Sequence, residues 1–282
     1  MDGPRTTATD DLRAMQDLAA RVFPATGFRH IGDLAWSATL HDDAPTALWT
    51  RDGRTLAWAR LEPPDGLQLQ VDPAHPDLAQ AVLAWAERTG SPPLTVEAAA
   101  TEPVLTAALE RRGYTRARTG PYLVCLGRPL AAPPVVPLPD GYTLRPAVTD
   151  IAGRAAAHRA AFASTRITTE RHARMTETPP YRPELDLIAV SSDGEVAAYC
   201  QGWYDETNAV GEFEPVGTHP DHRRRGLARA VCTAVLHAFA AAGARRAVVY
   251  ARGDTAYPVP RRLYESMGFT AYTRTHTYTG PR

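Results

Sequence analysis

From residue 141 onward the chain alternates between two apolar rhythms. Gly141–Pro146 predicts a short strand and Asp150–Phe162 a helix. Val196-Ala197-Ala198-Tyr199-Cys200 is a continuous apolar run, the pattern of a buried strand. Val210-Gly211-Glu212-Phe213-Glu214-Pro215-Val216 alternates with period two, so Glu212 and Glu214 project from one face, a face predicted to hold Val216 and Thr218 as well. Leu227 to Ala242 is alanine-rich and predicts a helix closed by Gly243. Ala247–Ala251 is a second buried strand. A last helix runs through Arg261–Met267 to Gly268-Phe269; the insertion Tyr257-Pro258-Val259-Pro260 sets its start at Pro260 or Arg261.

The first half carries a thinner version of this order. His75-Pro76-Asp77 matches His219-Pro220-Asp221, and Leu78-Ala79-Gln80-Ala81-Val82 matches Leu227-Ala228-Arg229-Ala230-Val231, with His222–Gly226 skipped. Counting back from His75, Gln68 stands opposite Glu212 and Gln70 opposite Glu214. Leu109-Glu110-Arg111-Arg112-Gly113-Tyr114 lies opposite Tyr264-Glu265-Ser266-Met267-Gly268-Phe269. One copy keeps carboxylates, a basic loop and a tyrosine where the other has amides, a deletion and a leucine. Between them, Ala131-Ala132-Pro133-Pro134-Val135-Val136-Pro137-Leu138-Pro139 has the composition of a semi-rigid connector. The expected organisation is a degenerate domain over 1–127, a linker over 128–140 and a working domain over 141–282.

Composition narrows the function classes. With 31 basic and 31 acidic residues in 282 the formal net charge is zero, which argues against a nucleic-acid partner. All the basic residues are arginine. The three cysteines form no C-x-x-C pair, arguing against a disulfide frame and for a reducing compartment. The polar opening segment lacks the apolar core of a signal peptide, and no run is long enough to span a membrane, so a cytoplasmic location is expected.

The chemistry concentrates in His219-Pro220-Asp221-His222-Arg223-Arg224-Arg225-Gly226-Leu227-Ala228. A strand runs into arginines and a glycine, and an apolar helix starts at once. Free N–H groups at a helix start bind phosphate oxygens, and the glycine lets the backbone approach them. The spacing Arg223-x-x-Gly226-x-Ala228 resembles the coenzyme A pyrophosphate loop of GNAT-superfamily N-acetyltransferases. The following order of helix, strand and Leu-Tyr-Glu-x-x-Gly-Phe helix is similar too. The resemblance implies an α/β fold with two GNAT-like domains in tandem, each a mixed central sheet flanked by helices. This tandem layout, with the working half second, also resembles the mycothiol synthase family, which implies a cysteinyl-sugar amine as one acceptor.

That resemblance implies acetyl-CoA as cosubstrate, with direct attack by a primary amine in a ternary complex. Arg223, Arg224, Arg225, Gly226, Leu227 and Ala228 would hold the pyrophosphate; Val216, Gly217 and Thr218, on a splayed strand, would hold the acetyl-pantetheine arm. A backbone N–H near Val216 would face the oxyanion. Glu214 or Glu212 would accept the amine proton, and Tyr264 would meet the departing sulfur. Asp254 follows the next strand and is included among the cofactor contacts, with Thr255 where relatives carry Asn. Ser164–His172, Pro179–Tyr181 and Trp203–Glu206 would shape the acceptor pocket. His219 and His222 find no third ligand in their own loop, so no metal is expected. The expected partner is a small-molecule amine, with no nucleic acid and no membrane. The chain would be a monomer through its internal pseudo-dimer, or a weak homodimer. Two rival functions remain open: a non-catalytic acyl-CoA sensor or assembly module, and a protein-amine acetyltransferase.

Overall fold

The computed structural model describes residues 5–6, 11–41 and 43–282; the rest of the polar opening segment lies outside the described residues. The first half comprises β1 (Arg5–Thr6), α1 (Asp11–Thr26), α2 (Ile31–Leu40), β2 (Thr46–Arg51), β3 (Arg54–Glu62) and β4 (Gly66–Val71). It continues with α3 (Leu78–Thr89), β5 (Thr95–Ala99), α4 (Pro103–Arg111), β6 (Thr115–Arg116) and β7 (Leu123–Pro129). The second half comprises β8 (Tyr142–Pro146), α5 (Ile151–Phe162), α6 (Thr169–Met175), β9 (Asp186–Ser191), β10 (Val196–Asp205) and β11 (Val210–Thr218). Then come α7 (Leu227–Ala241), β12 (Arg246–Arg252), α8 (Val259–Ser266) and β13 (Thr270–Thr279). Apart from the short β6, the two series match element for element.

Local chemistry explains the element ends. Asp150 caps α5, its carboxylate accepting from the Gly153 N–H at 2.8 Å. Helix α8 starts at Val259, one residue ahead of the predicted Pro260, because Pro260 is tolerated in a first helical turn. The repeat is written into the backbone at the ends of α4 and α8. Gly113 and Gly268 adopt φ of 80° and 84°, values that favour glycine. The following N–H bonds back in the same way in each: Tyr114 to Leu109 O at 3.0 Å, Phe269 to Tyr264 O at 3.1 Å.

The sheets of the two halves are continuous, which the sequence pattern does not announce. The strand order is β1-β2-β3-β4-β5-β13-β7-β12-β11-β10-β9-β8, with β6 also pairing β13. The last strand of each half has crossed to the other: β13 pairs antiparallel with β5, β7 pairs antiparallel with β12, and the two exchanged strands pair with each other. β7 therefore continues through Pro129, within the stretch expected to be linker.

Each half keeps a core between sheet and helices, one around Val82, Leu83 and Leu109, the other around Phe213, Phe239 and Phe269. A further apolar cluster spans the halves, joining Ala35 and Trp36 of α2 to Ala155, Ile167, Met175 and Trp203. Every residue of β10 is buried, because α7 covers one face while α5, with α2 of the other half, covers the opposite one. Among the described residues no helix is long and apolar enough to cross a membrane.

Candidate active site

The parallel pairing of β11 with β12 is short. It joins Val210, Gly211 and Glu212 to Arg246, Ala247 and Val248, and beyond Glu212 the strands separate. On its other side β11 stays paired with β10, but with a bulge. Cys200 faces Val216 and Gly202 faces Phe213, so Gln201 alone opposes Glu214 and Pro215. The extra residue reverses the alternation. Phe213 and Val216 both pack toward the α7 core, whereas a Cβ on Gly217 would run into Tyr199 on the α5 side. The sequence expectation that Val216 shares a face with Glu212 and Glu214 is thereby corrected; strict period two does not survive a bulge.

Where the strands part, β11 loses β12 as a backbone partner, and the Thr218 carbonyl instead accepts from Arg223 Nε at 3.4 Å. The His219 N–H donates to Ala197 O at 2.8 Å, which fixes the phase of the antiparallel ladder. Tyr199–Gly217 then exchanges hydrogen bonds, while Val216 and Thr218 turn their N–H and C=O groups away from β10 into the gap beside β12. The gap leads to the basic loop, where Arg223, Arg224, Arg225 and Gly226 are all exposed. Gly226, at φ 83°, is the N-cap of α7 and provides no side-chain cap. The first N–H groups of α7, at Leu227 and Ala228, thus lack the usual side-chain acceptor at a positive helix end. Arg223 donates to Ala161 O at 3.1 Å, and Arg225 to the Tyr142 hydroxyl at 2.9 Å, which hold the loop against its own half. In the first half the turn before α3 has neither arginine nor glycine.

The two carboxylates differ in their surroundings. Glu212 is wholly buried beneath the N-terminus of α2, with Oε2 3.1 Å from His30 Nδ1. Burial raises Glu212 far above the usual carboxylate range and lowers His30, so this contact joins neutral groups rather than an ion pair. Asp33 is also raised well above its ordinary value, by burial and then by Glu212. Glu214 is half-buried, at the bulge. Burial, reinforced by the Asp33 charge, pushes it up to about 8. Its main-chain carbonyl accepts a hydrogen bond from Trp203 Nε1 at 2.6 Å, which pins the bulge.

Tyr264 lies 5% exposed beside Phe213 and Phe269, on the far side of β11 from α2. Burial first, then the neighbouring Cys232, Cys200 and Glu214, holds its phenol in the protonated form. Glu214 also raises the phenols of Tyr264 and Tyr199, with burial the larger cause in each. Asp254 is engaged elsewhere: Arg252 donates to both its oxygens at 2.8 and 2.9 Å, and the Ala256 N–H donates at 3.0 Å. That arginine keeps the Asp254 carboxyl below its ordinary range.

Some of the residues expected to shape the acceptor pocket meet the first half at a cavity that neither Glu214 nor the basic loop lines. Pro179, Pro180, Tyr181, Tyr204, Asp205 and Glu206 line this cavity of about 550 Å³, whose other wall includes Arg13, Gln16 and Asp17 of α1. Gln16 crosses the interface to donate to Pro179 O at 2.7 Å. Of the residues expected to shape the pocket, Ile167, His172 and Trp203 are buried rather than lining it. Sequence reasoning missed a polar nest behind them. The Arg154 guanidinium lies over the Tyr199 ring at 3.4 Å and 3.7 Å from Asp186. Its three nitrogens, both ring nitrogens of His172, Asp186 Oδ1 and Gln201 Oε1 have no hydrogen-bond partner among the described residues. Such buried orphans cost about 1–3 kcal/mol each unless water or a ligand meets them. The available signal was Arg154 in an alanine-rich helix, one of its two arginines.

Comparison with known proteins gives the family. The model of the acetyltransferase (GNAT) family matches residues 156–269, which include β11, the basic loop and Tyr264. A mycothiol acetyltransferase of Thermobispora bispora is 30% identical over 284 residues, covering 93% of this chain and 94% of that one. A mycothiol acetyltransferase of Nocardiopsis dassonvillei is 33% identical over 112 residues, which span 36% of this chain and 32% of that enzyme. Among solved structures, a tandem GNAT protein from the clavulanic acid biosynthesis pathway superposes with a TM-score of 0.67 at 17% identity, over 99% of each chain, a likeness of fold.

Proposed function

The chain belongs to the acetyltransferase (GNAT) family, and from that premise we propose that it moves the acetyl group of acetyl-CoA to a primary amine, by direct attack, at one site in its C-terminal half. The observation that carries this reading is Glu214, a carboxyl pushed up to about 8 at the bulge where β11 leaves β12. A base with that affinity can take a proton from an ammonium near neutral pH, which an ordinary carboxylate does poorly.

The cradle fits an acyl-CoA. The uncapped start of α7 and the arginines beside it suit a pyrophosphate, and the outward backbone of Val216 and Thr218 suits an amide-bearing arm. Arg223, Arg224, Arg225, Gly226, Leu227 and Ala228 would hold the former, Val216, Gly217 and Thr218 the latter. The bound cosubstrate supplies an activated acetyl group. Glu214 deprotonates the acceptor amine, the Val216 N–H donates to the carbonyl oxygen as it gains charge, and Tyr264 offers its phenol proton to the departing sulfur. Glu212 is held protonated under α2 and supports the strand instead of acting as base. Asp254 shapes its own loop and is left out of the cofactor contacts.

The acceptor is a small molecule in this account, because α2 of the first half packs over β10 and β11 beside the carboxylates. The name of the two relatives puts a mycothiol-type cysteinyl-sugar amine first in a panel of amines. Thiol release from acetyl-CoA with that panel is the test. The wild type is expected to acetylate at least one small amine, and Glu214→Gln to bind acetyl-CoA while losing about 10²–10³-fold in kcat. Binding without turnover on any amine would make the chain a sensor. Acetylation of polypeptide amines alone would make it a protein-modifying enzyme.

A further inference from the structure

The loop carrying His219 and His222 offers two metal-type ligands, and the third comes from a different turn. Glu195, between β9 and β10, reaches across, so that one ligand atom from each of the three side chains lies within 4.8 Å of the others. Glu195 Oε2 is 2.8 Å from His222 Nε2, and Oε1 is 3.7 Å from His219 Nε2. Ligand atoms of a tetrahedral zinc site, with bonds of about 2.0–2.2 Å, stand about 3.4 Å apart, a spacing these side chains reach with small movements.

Each imidazole turns Nε2 toward Glu195 and has a partner for the opposite nitrogen. His222 Nδ1 is 2.8 Å from the Tyr142 hydroxyl, itself held by Arg225 at 2.9 Å. His219 Nδ1 accepts weakly from the Asp221 N–H at 3.4 Å and lies 3.9 Å from the Asp221 carboxylate. With its proton moved to Nδ1, that ring can donate to Asp221 and present a bare Nε2. Such outer partners orient ligating histidines. The Glu195 side chain is 51% exposed, leaving solvent access for a fourth ligand.

We propose that Glu195, His219 and His222 bind a divalent transition-metal ion of the zinc type at the root of the phosphate loop. Two imidazoles and one carboxylate suit zinc or cobalt better than magnesium or calcium, which prefer an all-oxygen shell. The ion would tie the turn before β10 to the segment that enters Arg223–Gly226, and so stiffen the loop.

Equilibrium dialysis with Zn²⁺ alone, and the visible spectrum with Co²⁺ as probe, test the site on the whole chain without acetyl-CoA. This separates its failure from that of the acetyl-transfer assignment. One ion per chain is expected, with intense Co²⁺ bands of low coordination number. Glu195→Gln and His219→Gln should each weaken binding at least about 10-fold, and Tyr142→Phe should weaken it about 10-fold by releasing His222. Glu195 is exposed and His219 half-buried, and an unchanged far-UV spectrum checks that the variants fold. Zn²⁺ uptake equal in the wild type and the Glu195→Gln, His219→Gln double variant would overturn the proposal and leave an ordinary histidine–glutamate pair.

Discussion

Glu214 and Glu212 are two residues apart and carry opposite expectations. The Glu214 carboxyl, pushed up to about 8, is protonated over much of the neutral range, so kcat/KM should climb with pH to a limb near 8 that disappears in Glu214→Gln. The same shift has a consequence for stability. A carboxyl raised in the folded chain holds its proton more tightly there than when unfolded, so stability falls as pH rises from the ordinary 4.5 through about 8. Glu214→Gln has no such proton to lose. Its Tm should exceed that of the wild type at about pH 9 and match it at about pH 5, measured by calorimetry. Glu212→Gln replaces a carboxyl already held neutral under α2, and should leave kcat within about threefold of the wild type, as an isosteric change away from the reacting atoms does. A loss of about 10²-fold there with Glu214→Gln unaffected would exchange the two roles.

At the scale of elements, the loop between β11 and α7 and the bulge above it do separate work. Gly226 is exposed, with φ of 83° and no atom near where a Cβ would stand. Gly226→Glu should abolish acetyl-CoA binding by placing bulk and negative charge at the helix start. Gly226→Ala should cost about 1 kcal/mol of stability through its left-handed backbone and weaken binding far less. Titration of both variants separates cofactor repulsion from strain. The loop was legible in the sequence because arginines, a glycine and an apolar helix must follow one another to make it. The Tyr264 against Leu109 contrast was legible for a similar reason, since Gly268 and Gly113 mark equivalent helix ends. The bulge was not. Pro215 hinted at broken pairing, but only the β10 register reveals that Val216 has changed faces.

Across the whole molecule, the exchange of β7 and β13 makes the halves mutually dependent. Residues 141–282 alone would expose the edge of β12 that β7 covers and leave β13 without either neighbouring strand. That fragment is expected to aggregate, whereas the full chain stays dispersed in sedimentation. The first half also presses on the chemistry directly: a Cβ on Gly32 would run into Trp203 and Glu212. Gly32→Ala should destabilise the chain by about 1–3 kcal/mol in denaturant melts through overpacking. This cross-half contact could not be read from the sequence, because Gly32 and Glu212 lie in different halves and meet only in the fold. The repeat itself was readable, and so was its asymmetry. Gln68 and Gln70 stand in β4 where Glu212 and Glu214 stand in β11, and Gln70 is fully buried, accepting from Trp58 Nε1 at 3.2 Å. The central claim, one working half supported by one that has lost its chemistry, is tested most directly by the stoichiometry of acetyl-CoA in a calorimetric titration. The account predicts one site per chain, lost in Gly226→Glu. Two sites per chain, or one that survives Gly226→Glu, would contradict it.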